Sequence, residues 1–174
     1  PIGDCLPLLL SLNAQVVLKD LNKTKIMFLD SFFISYRKTK LKKGQFIHSI
    51  RIPLLKNNIF KAYKISKRFD DDISSVCAAF NLKIIKNKIK SVRIAYGGMA
   101  AIPKRAFLCE KILSNSLFTD EIVKKAKKAL EKDFKPITDM RASGSYRMEI
   151  AKNLLEKCFV EINEKKFIGV YEKN

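Results

Sequence analysis

Apolar positions along the chain change their period twice, and the changes predict its elements. Residues 6–12 are an apolar run that Asp4 can cap as a short helix over 5–13, with Pro7 still tolerated in its first turn. From residue 14 the period shortens. Residues 14–18 and 24–28 read as short strands on either side of a turn at 20–22, and 32–43 as an aromatic and basic loop. Residues 45–52 set Phe46, His48, Ile50 and Ile52 against polar neighbours, the period of a half-buried strand closed by Pro53. After a polar hinge at 54–58, residues 60–68 read as a strand and 69–72 as an acidic loop. Residues 76–85 and 89–96 are β-branched-rich segments that pair as a hairpin around 86–88, and Gly97-Gly98 ends the second of them.

From Lys104 the period is helical. Phe107, Leu108, Lys111 and Ile112 share one segment, and Ile122, Val123, Ala126, Ala129 and Leu130 another, which Thr119 or Asp120 can cap. The longest helix starts near Ser143 or Ser145. It puts Met148, Ala151, Leu154, Leu155, Cys158 and Phe159 on one face with lysines opposite. Strands followed by helices on one face give an α+β class, with a boundary near residue 58 and a polar tail at 166–174. The second part, 58–165, should hold a three-stranded antiparallel sheet and about three helices.

A chain of 174 residues with 47% hydrophobic residues and twelve Phe can bury one substantial core, or a core with a smaller lobe. The apolar run at 6–12 is about half the ~20 residues a membrane span needs, so no membrane association is expected. The chain opens without Met or a basic leader, so an upstream part is expected to precede it. Cys5, Cys77, Cys109 and Cys158 stand dozens of residues apart and offer no metal site; they read as small buried hydrophobes in a reducing cytoplasm. The net charge of +18 would suit an anionic partner, yet 28 of the 35 basic residues are Lys spread along the whole chain. Readers of phosphates and bases cluster Arg with aromatics, so nucleic-acid binding is not expected. No GxSxG, GxGxxG, Walker loop or His-paired nucleophile is present, and no catalytic residue is assigned.

Several segments, taken in order, carry a resemblance. They are Pro-Ile-Gly-Asp at 1–4, Phe-Phe-Ile-Ser-Tyr-Arg-Lys-Thr at 32–39, Ser-Ile-Arg-Ile-Pro at 49–53, and Tyr-Lys-Ile-Ser-Lys-Arg-Phe-Asp-Asp-Asp-Ile-Ser at 63–74. Arg-Ile-Ala-Tyr-Gly-Gly-Met-Ala at 93–100 and Ala-Ser-Gly-Ser-Tyr-Arg at 142–147 follow. In this order and spacing the chain resembles the C-terminal portion of the FAD-binding domain of xanthine dehydrogenase small subunits, in the molybdenum hydroxylase family. The resemblance implies that 1–57 are the rear part of the FAD-binding domain and 58–165 the C-terminal flavoprotein lobe. It also implies that the glycine-rich FAD pyrophosphate cradle and the 2Fe-2S cluster domains lie upstream, and that the molybdenum cofactor sits on a large partner subunit. On that footing the chain is a fragment of an oxidoreductase of purine metabolism, inactive alone and with an incomplete FAD site, lining the path by which electrons reach NAD. Aldehyde or carbon monoxide dehydrogenase flavoproteins are the alternative within the family. A basic interaction module without redox chemistry is the alternative outside it.

The resemblance assigns residues as well. Asp4 matches an aspartate beside the ribityl chain, where a carboxylate accepts hydrogen bonds from sugar-alcohol hydroxyls, and a helix cap is its other reading. Ile47 matches an apolar position against the isoalloxazine edge, or is one face of a sheet strand. Lys64 matches a lysine that reaches the flavin, where a cation favours the anionic reduced ring; otherwise it is a solvated strand lysine. Asp71, within the run Asp70, Asp71 and Asp72, would border the NAD approach, or belong to a solvated turn. Tyr36 would stack near the nicotinamide path and Arg37 would lie near phosphates. Tyr96-Gly97-Gly98-Met99 reads as a tight turn, and 143–147 as a helix start.

Overall fold

The computed structural model describes residues 3–68 and 72–165. Helix α1 (Cys5–Ser11) is followed by β1 (Gln15–Lys19), β2 (Thr24–Phe28), a 3-10 turn (Leu29–Ser31), β3 (Phe33–Ser35), β4 (Lys38–Thr39) and β5 (Phe46–Arg51). Then come β6 (Ile59–Ile65), β7 (Val76–Ile85), β8 (Lys88–Gly97), β9 (Lys104–Arg105), α2 (Phe107–Leu113), α3 (Asp120–Asp133) and α4 (Gly144–Asn163). The strands form an antiparallel three-stranded sheet in the order β2-β1-β5, a β3-β4 hairpin and an antiparallel four-stranded sheet in the order β6-β7-β8-β9. The α+β class follows as expected. The larger sheet has four strands where three were expected, because Lys104 and Arg105, placed by their period at the start of a helix, pair with Tyr96 and Ala95 instead.

The β7-β8 hairpin turns through Lys86 and Asn87, whose φ values of 48° and 58° are those of a two-residue turn of the kind that matches strand twist. One face of this sheet packs on the helices. Phe80 and Tyr96 meet edge-on at 5.9 Å, Tyr96 meets Phe134 at 5.3 Å, and Phe118 stacks on Phe159 at 4.2 Å. The hydroxyl of Tyr96, itself fully buried, donates to the Ala151 carbonyl at 2.9 Å, so the aromatic body enters the core without an orphaned polar atom. Thr119 caps α3 by accepting from the Ile122 N–H, and Ser143 caps α4 by accepting from the Tyr146 N–H. Buried Ala151, Leu154, Leu155, Cys158 and Phe159 form the inner face of α4, with Met148 only partly covered. Among the described residues no helix is long and apolar enough to cross a membrane.

Three further expectations are corrected. Residues 32–43 are not one loop, since β3 and β4 pair within them. The strand at 45–52 forms, but not with one buried and one solvated face. Its register against β1 slips between Val17 and Leu18, so that Val17 faces Ser49, Leu18 faces Ile47, and His48 is the extra residue. A single inserted residue flips the alternation. Ile47 and Ile50 therefore share a face, while Phe46, Ile47, Ile50 and Ile52 are all exposed. The third correction is Cys5, which is exposed while Cys77, Cys109 and Cys158 are buried; all four thiols are free.

Buried polar side chains fasten the pieces together. The Asn81 amide donates to the Ser11 carbonyl at 3.0 Å and accepts from Asn58 at 2.8 Å, tying α1 to β7 and to the segment before β6. Glu161, buried at the end of α4, receives the Tyr63 hydroxyl at 2.8 Å and Lys61 at 2.9 Å from β6. Asp133, at the end of α3, accepts from the Leu108 and Cys109 N–H groups, each at 2.9 Å, and so caps α2 from outside its own sequence. Replacing Asp133 with Ala leaves those two donors unpaired. We expect a loss of about 2 kcal/mol, read as a lower urea midpoint at unchanged slope; a midpoint equal to wild type would show that solvent satisfies the α2 terminus.

Candidate functional site

Helix α1 lies across β7 and β8, and its close approach depends on a residue without a side chain. A Cβ on Gly97 would stand 3.0 Å from Pro7 Cγ, tighter than nearly all real contacts. The N-terminal end of α1 is thereby carried to the rim of a cleft of about 330 Å³ lined by Asp4, Tyr36, Ser74, Cys77, Gly98 and Arg147 among others.

Asp4 occupies the N-cap position of α1 with helical backbone angles and makes no side-chain cap bond, so the capping reading is wrong. Its carboxylate is drawn away from the helix by stronger partners. One oxygen accepts the Ser74 hydroxyl at 2.5 Å, and the other pairs with Lys64 Nζ at 3.0 Å. Both charged side chains remain about 40% exposed, so the pair is a solvated one that contributes little to stability. What it supplies is a fixed arrangement. A carboxylate with lone pairs to spare lines the cleft and an ammonium with donors to spare stands beside it, fitted to hold hydroxyl groups and to offer a cation to carbonyl oxygens.

Tyr36 and Arg37, at the tip of the β3-β4 hairpin, part company. Exposed Tyr36 lines the Asp4 cleft, while Arg37, with φ 58°, lines a second, apolar cleft of about 450 Å³. Ile47 and Ile50 border that second cleft with Leu6, Leu9, Val16 and Phe33. Asp4 and Tyr36 thus line one cleft, with Lys64 paired to Asp4, and Ile47 and Arg37 line another. Asp70 and Asp71 lie outside the described residues. Asp72 behaves as a turn residue: the Arg68 N–H at 3.0 Å, above all, holds its carboxyl below the usual range, and the Ile73 N–H at 2.8 Å adds to this.

Ser74, Gly98, Asp139 and Arg147 also line the cleft, though their sequence pattern suggested no site role. Arg147 is 3% exposed, and its guanidinium donates to the Ser75 and Gly98 carbonyls and to Asp139, the last at 2.6 Å. Burial pushes the Asp139 carboxyl up, but the Arg141 N–H and the Arg147 guanidinium outweigh it and leave it below the ordinary range. A signal was there to be read: Arg147 stands four and seven residues before Ala151 and Leu154, on the apolar stripe of its helix. Among the described residues no group of three metal-ligating side chains occurs.

Residues 1–55 match the FAD binding domain in molybdopterin dehydrogenase, and residues 61–162 match the CO dehydrogenase flavoprotein C-terminal domain. The chain is 37% identical over 138 residues to the xanthine dehydrogenase of Emericella nidulans, covering 77% of this chain and 10% of that enzyme. It is 29% identical over 162 residues to the glyceraldehyde dehydrogenase medium chain of Sulfolobus acidocaldarius, covering 93% of this chain and 57% of that one. The chain therefore spans well under two thirds of either relative. Its fold superposes on a chain of the Cu,Mo-CO dehydrogenase with a TM-score of 0.81 at 22% identity, over 87% of this chain and 53% of that chain. A chain of quinoline 2-oxidoreductase from Pseudomonas putida 86 superposes with the same TM-score of 0.81 at 17% identity.

The buried thiols give the cleft a testable property. Burial, with Asp4 adding to it, pushes the Cys77 thiol up to about 12, and burial does the same to Cys158. Neither is a thiolate nucleophile near neutrality. In the unfolded chain such thiols ionise near pH 9, so above that pH the unfolded state binds fewer protons than the folded one, and stability should fall as pH rises from 9 towards 12. At pH 8 in native conditions, iodoacetamide should modify Cys5 and spare Cys77, Cys109 and Cys158, as peptide mass spectrometry will show. Prompt labelling of Cys77 would mean that the α1 seam opens.

Proposed function

Since the chain belongs to the FAD-binding domains of the molybdopterin dehydrogenase family, we propose that it forms one wall of the flavin site of a xanthine dehydrogenase type enzyme. Its relatives are named as dehydrogenases, and the family that residues 1–55 match is an FAD binding domain. The observation that carries the assignment is the meeting of Lys64 and Ser74 on Asp4, which with Ser74 lines the cleft; the three polar side chains come from the N-cap of α1, β6 and the approach to β7. FAD, when bound, supplies the chemistry by accepting electrons and passing them on. Asp4 accepts hydrogen bonds from the hydroxyls of the ribityl chain, Lys64 offers its cation towards the ring, and Tyr36 borders the same cleft on the side where NAD approaches. Ile47, with its neighbours in the second cleft, keeps water from an apolar edge of the cofactor, and Arg37 takes a phosphate of the dinucleotide. Asp71 lies outside the described residues, and its role on the NAD approach stays part of the proposal.

The division between the rear part of the FAD-binding domain and the C-terminal lobe falls, in this reading, near residue 57. The pyrophosphate cradle and the 2Fe-2S clusters belong to regions outside this chain, and the molybdenum cofactor to a large partner subunit, with the whole in the cytoplasm. The higher identity to the Emericella xanthine dehydrogenase favours a purine as the parent enzyme's substrate, and NAD as acceptor is part of the same proposal. A flavoprotein subunit of the aldehyde-oxidising kind is the second reading, favoured by coverage of 93% of this chain and 57% of the Sulfolobus medium chain.

Pairing of Lys64 with Asp4 makes the test two-sided. In the flavin-loaded full-length flavoprotein, Lys64→Met removes the cation and leaves the carboxylate unopposed, so the flavin midpoint potential should fall by roughly 30 mV or more, which for a two-electron couple is a tenfold change in equilibrium constant. Asp4→Asn should raise it. Spectroelectrochemical titration reads both, and unchanged potentials in the two variants would remove these residues from the cofactor's surroundings.

A further inference from the structure

Arg147 has no part in the contacts just assigned, yet its burial calls for one. An arginine at 3% exposure on the inner face of α4 sits where Ala151 and Leu154 further along the same face pack sheet and helix with no charge at all. Among the described residues its carboxylate partner is Asp139, at 2.6 Å. Burial of a charge with a single partner is costly, and an apolar side chain would fill the space at less cost. The guanidinium must therefore supply something that only a planar, multiply donating cation can.

The geometry shows what. Backbone carbonyls of Ser75, just before β7, and of Gly98, just after β8, both turn towards Nη1 of Arg147, the second at 3.0 Å. Two carbonyl oxygens converging on one point repel unless a donor stands between them, and a charged donor holds them most strongly. The approach is so close that a Cβ on Gly98, whose φ is +80°, would lie 2.2 Å from the Ser75 carbonyl oxygen. Ser75 adjoins Ser74, whose hydroxyl reaches Asp4 at 2.5 Å, and Asp4 in turn holds Lys64 at 3.0 Å. On the other side of the guanidinium, Asp139 accepts the Arg141 and Ala142 N–H groups at 2.8 and 3.2 Å, so the same ion pair fixes the outer wall of the cleft. Nε of Arg147 is buried without a partner among the described residues, a cost accepted for the Nη1 fork onto two carbonyls and the Nη2 bond to Asp139.

We propose that Arg147 is the positioning residue of this cleft: by clamping the Ser75 and Gly98 carbonyls against Asp139 it sets Ser74, and through Ser74 the carboxylate of Asp4. The proposal rests on the reading of Asp4 as a flavin contact, and it is a statement about coupling between two residues that do not touch.

A double-mutant cycle on FAD affinity tests it. FAD is titrated into the apo form of the full-length flavoprotein for wild type, Arg147→Lys, Asp4→Asn and the double variant, with thermal midpoints recorded for each. Each single change should weaken FAD binding about tenfold, and the double change should do no worse than about tenfold, because removal of Asp4 leaves Arg147 nothing to position. Independent losses that multiply to about a hundredfold would overturn the proposal. So would an Arg147→Lys variant of lowered thermal midpoint and wild-type FAD affinity, which is the mark of a purely structural arginine. If Arg147→Lys does not fold, Asp139→Asn takes its place in the cycle and the same two outcomes decide. Failure of the wild-type protein to take up FAD would overturn the flavin reading itself, whereas multiplying losses in a protein that does take it up sink only the positioning role.

Discussion

Everything the cleft offers depends on α1 lying flat against the far end of the β7-β8 hairpin, and that contact depends on Pro7 resting on Gly97. A Cβ at residue 97 would meet Pro7 Cγ at 3.0 Å and ask the ring to shift by a few tenths of an ångström. With α1 seated, residues far apart in sequence need only short side chains to meet: Asp4 reaches Ser74 across 70 positions, and Asn81 reaches the Ser11 carbonyl across another 70. The seam is thus polar at both ends of α1 and apolar between them, where buried Leu10 and Ala95 share one cluster. Apolar contact supplies attraction without direction, and the hydrogen bonds at the ends fix the register.

Local rules carried the larger part of the fold. The hairpin around residues 86–87, the caps at Thr119 and Ser143 and the inner face of α4 could all be read because each is decided within a few residues of itself. Long-range pairing defeated the same rules. Nothing near Lys104 and Arg105 says that they will extend a sheet, and nothing near His48 says that the strand will slip by one residue there. For the site, the resemblance named Asp4 and Lys64 separately, while their pairing with one another emerged only in three dimensions. Asp4 also shows how a sound local preference loses. A carboxylate at a helix start ordinarily takes the helix N–H groups, but a lysine and a serine hydroxyl within reach compete better.

Arg147 illustrates a different limit. Its place on an apolar stripe could be seen from spacing alone, as could that of buried Glu161 on the same helix, yet spacing cannot tell a buried ion from a surface one at the end of its stripe. Both prove to be fasteners between α4 and the sheet. Glu161 holds β6 through Tyr63 and Lys61, and Arg147 holds the entry to β7 and the exit from β8. The helix thereby grips three strands of the sheet by polar contacts at its two ends, with the apolar face between them.

The smaller sheet bears on how such a polypeptide behaves in solution. Among the described residues both of its outer strands, β2 and β5, present unpaired edges, and Ile26, Phe28, Phe46, Ile47 and Ile50 lie exposed upon them. Edges of that kind template pairing between copies, and apolar side chains reward it. Opposing this is the net charge of +18, a repulsion that works over about 10 Å at 0.1 M ionic strength and shrinks to about 3 Å at 1 M. Colloidal stability is then set by ionic strength: dilute buffer keeps copies apart, and added salt removes the barrier while leaving the sticky edges in place.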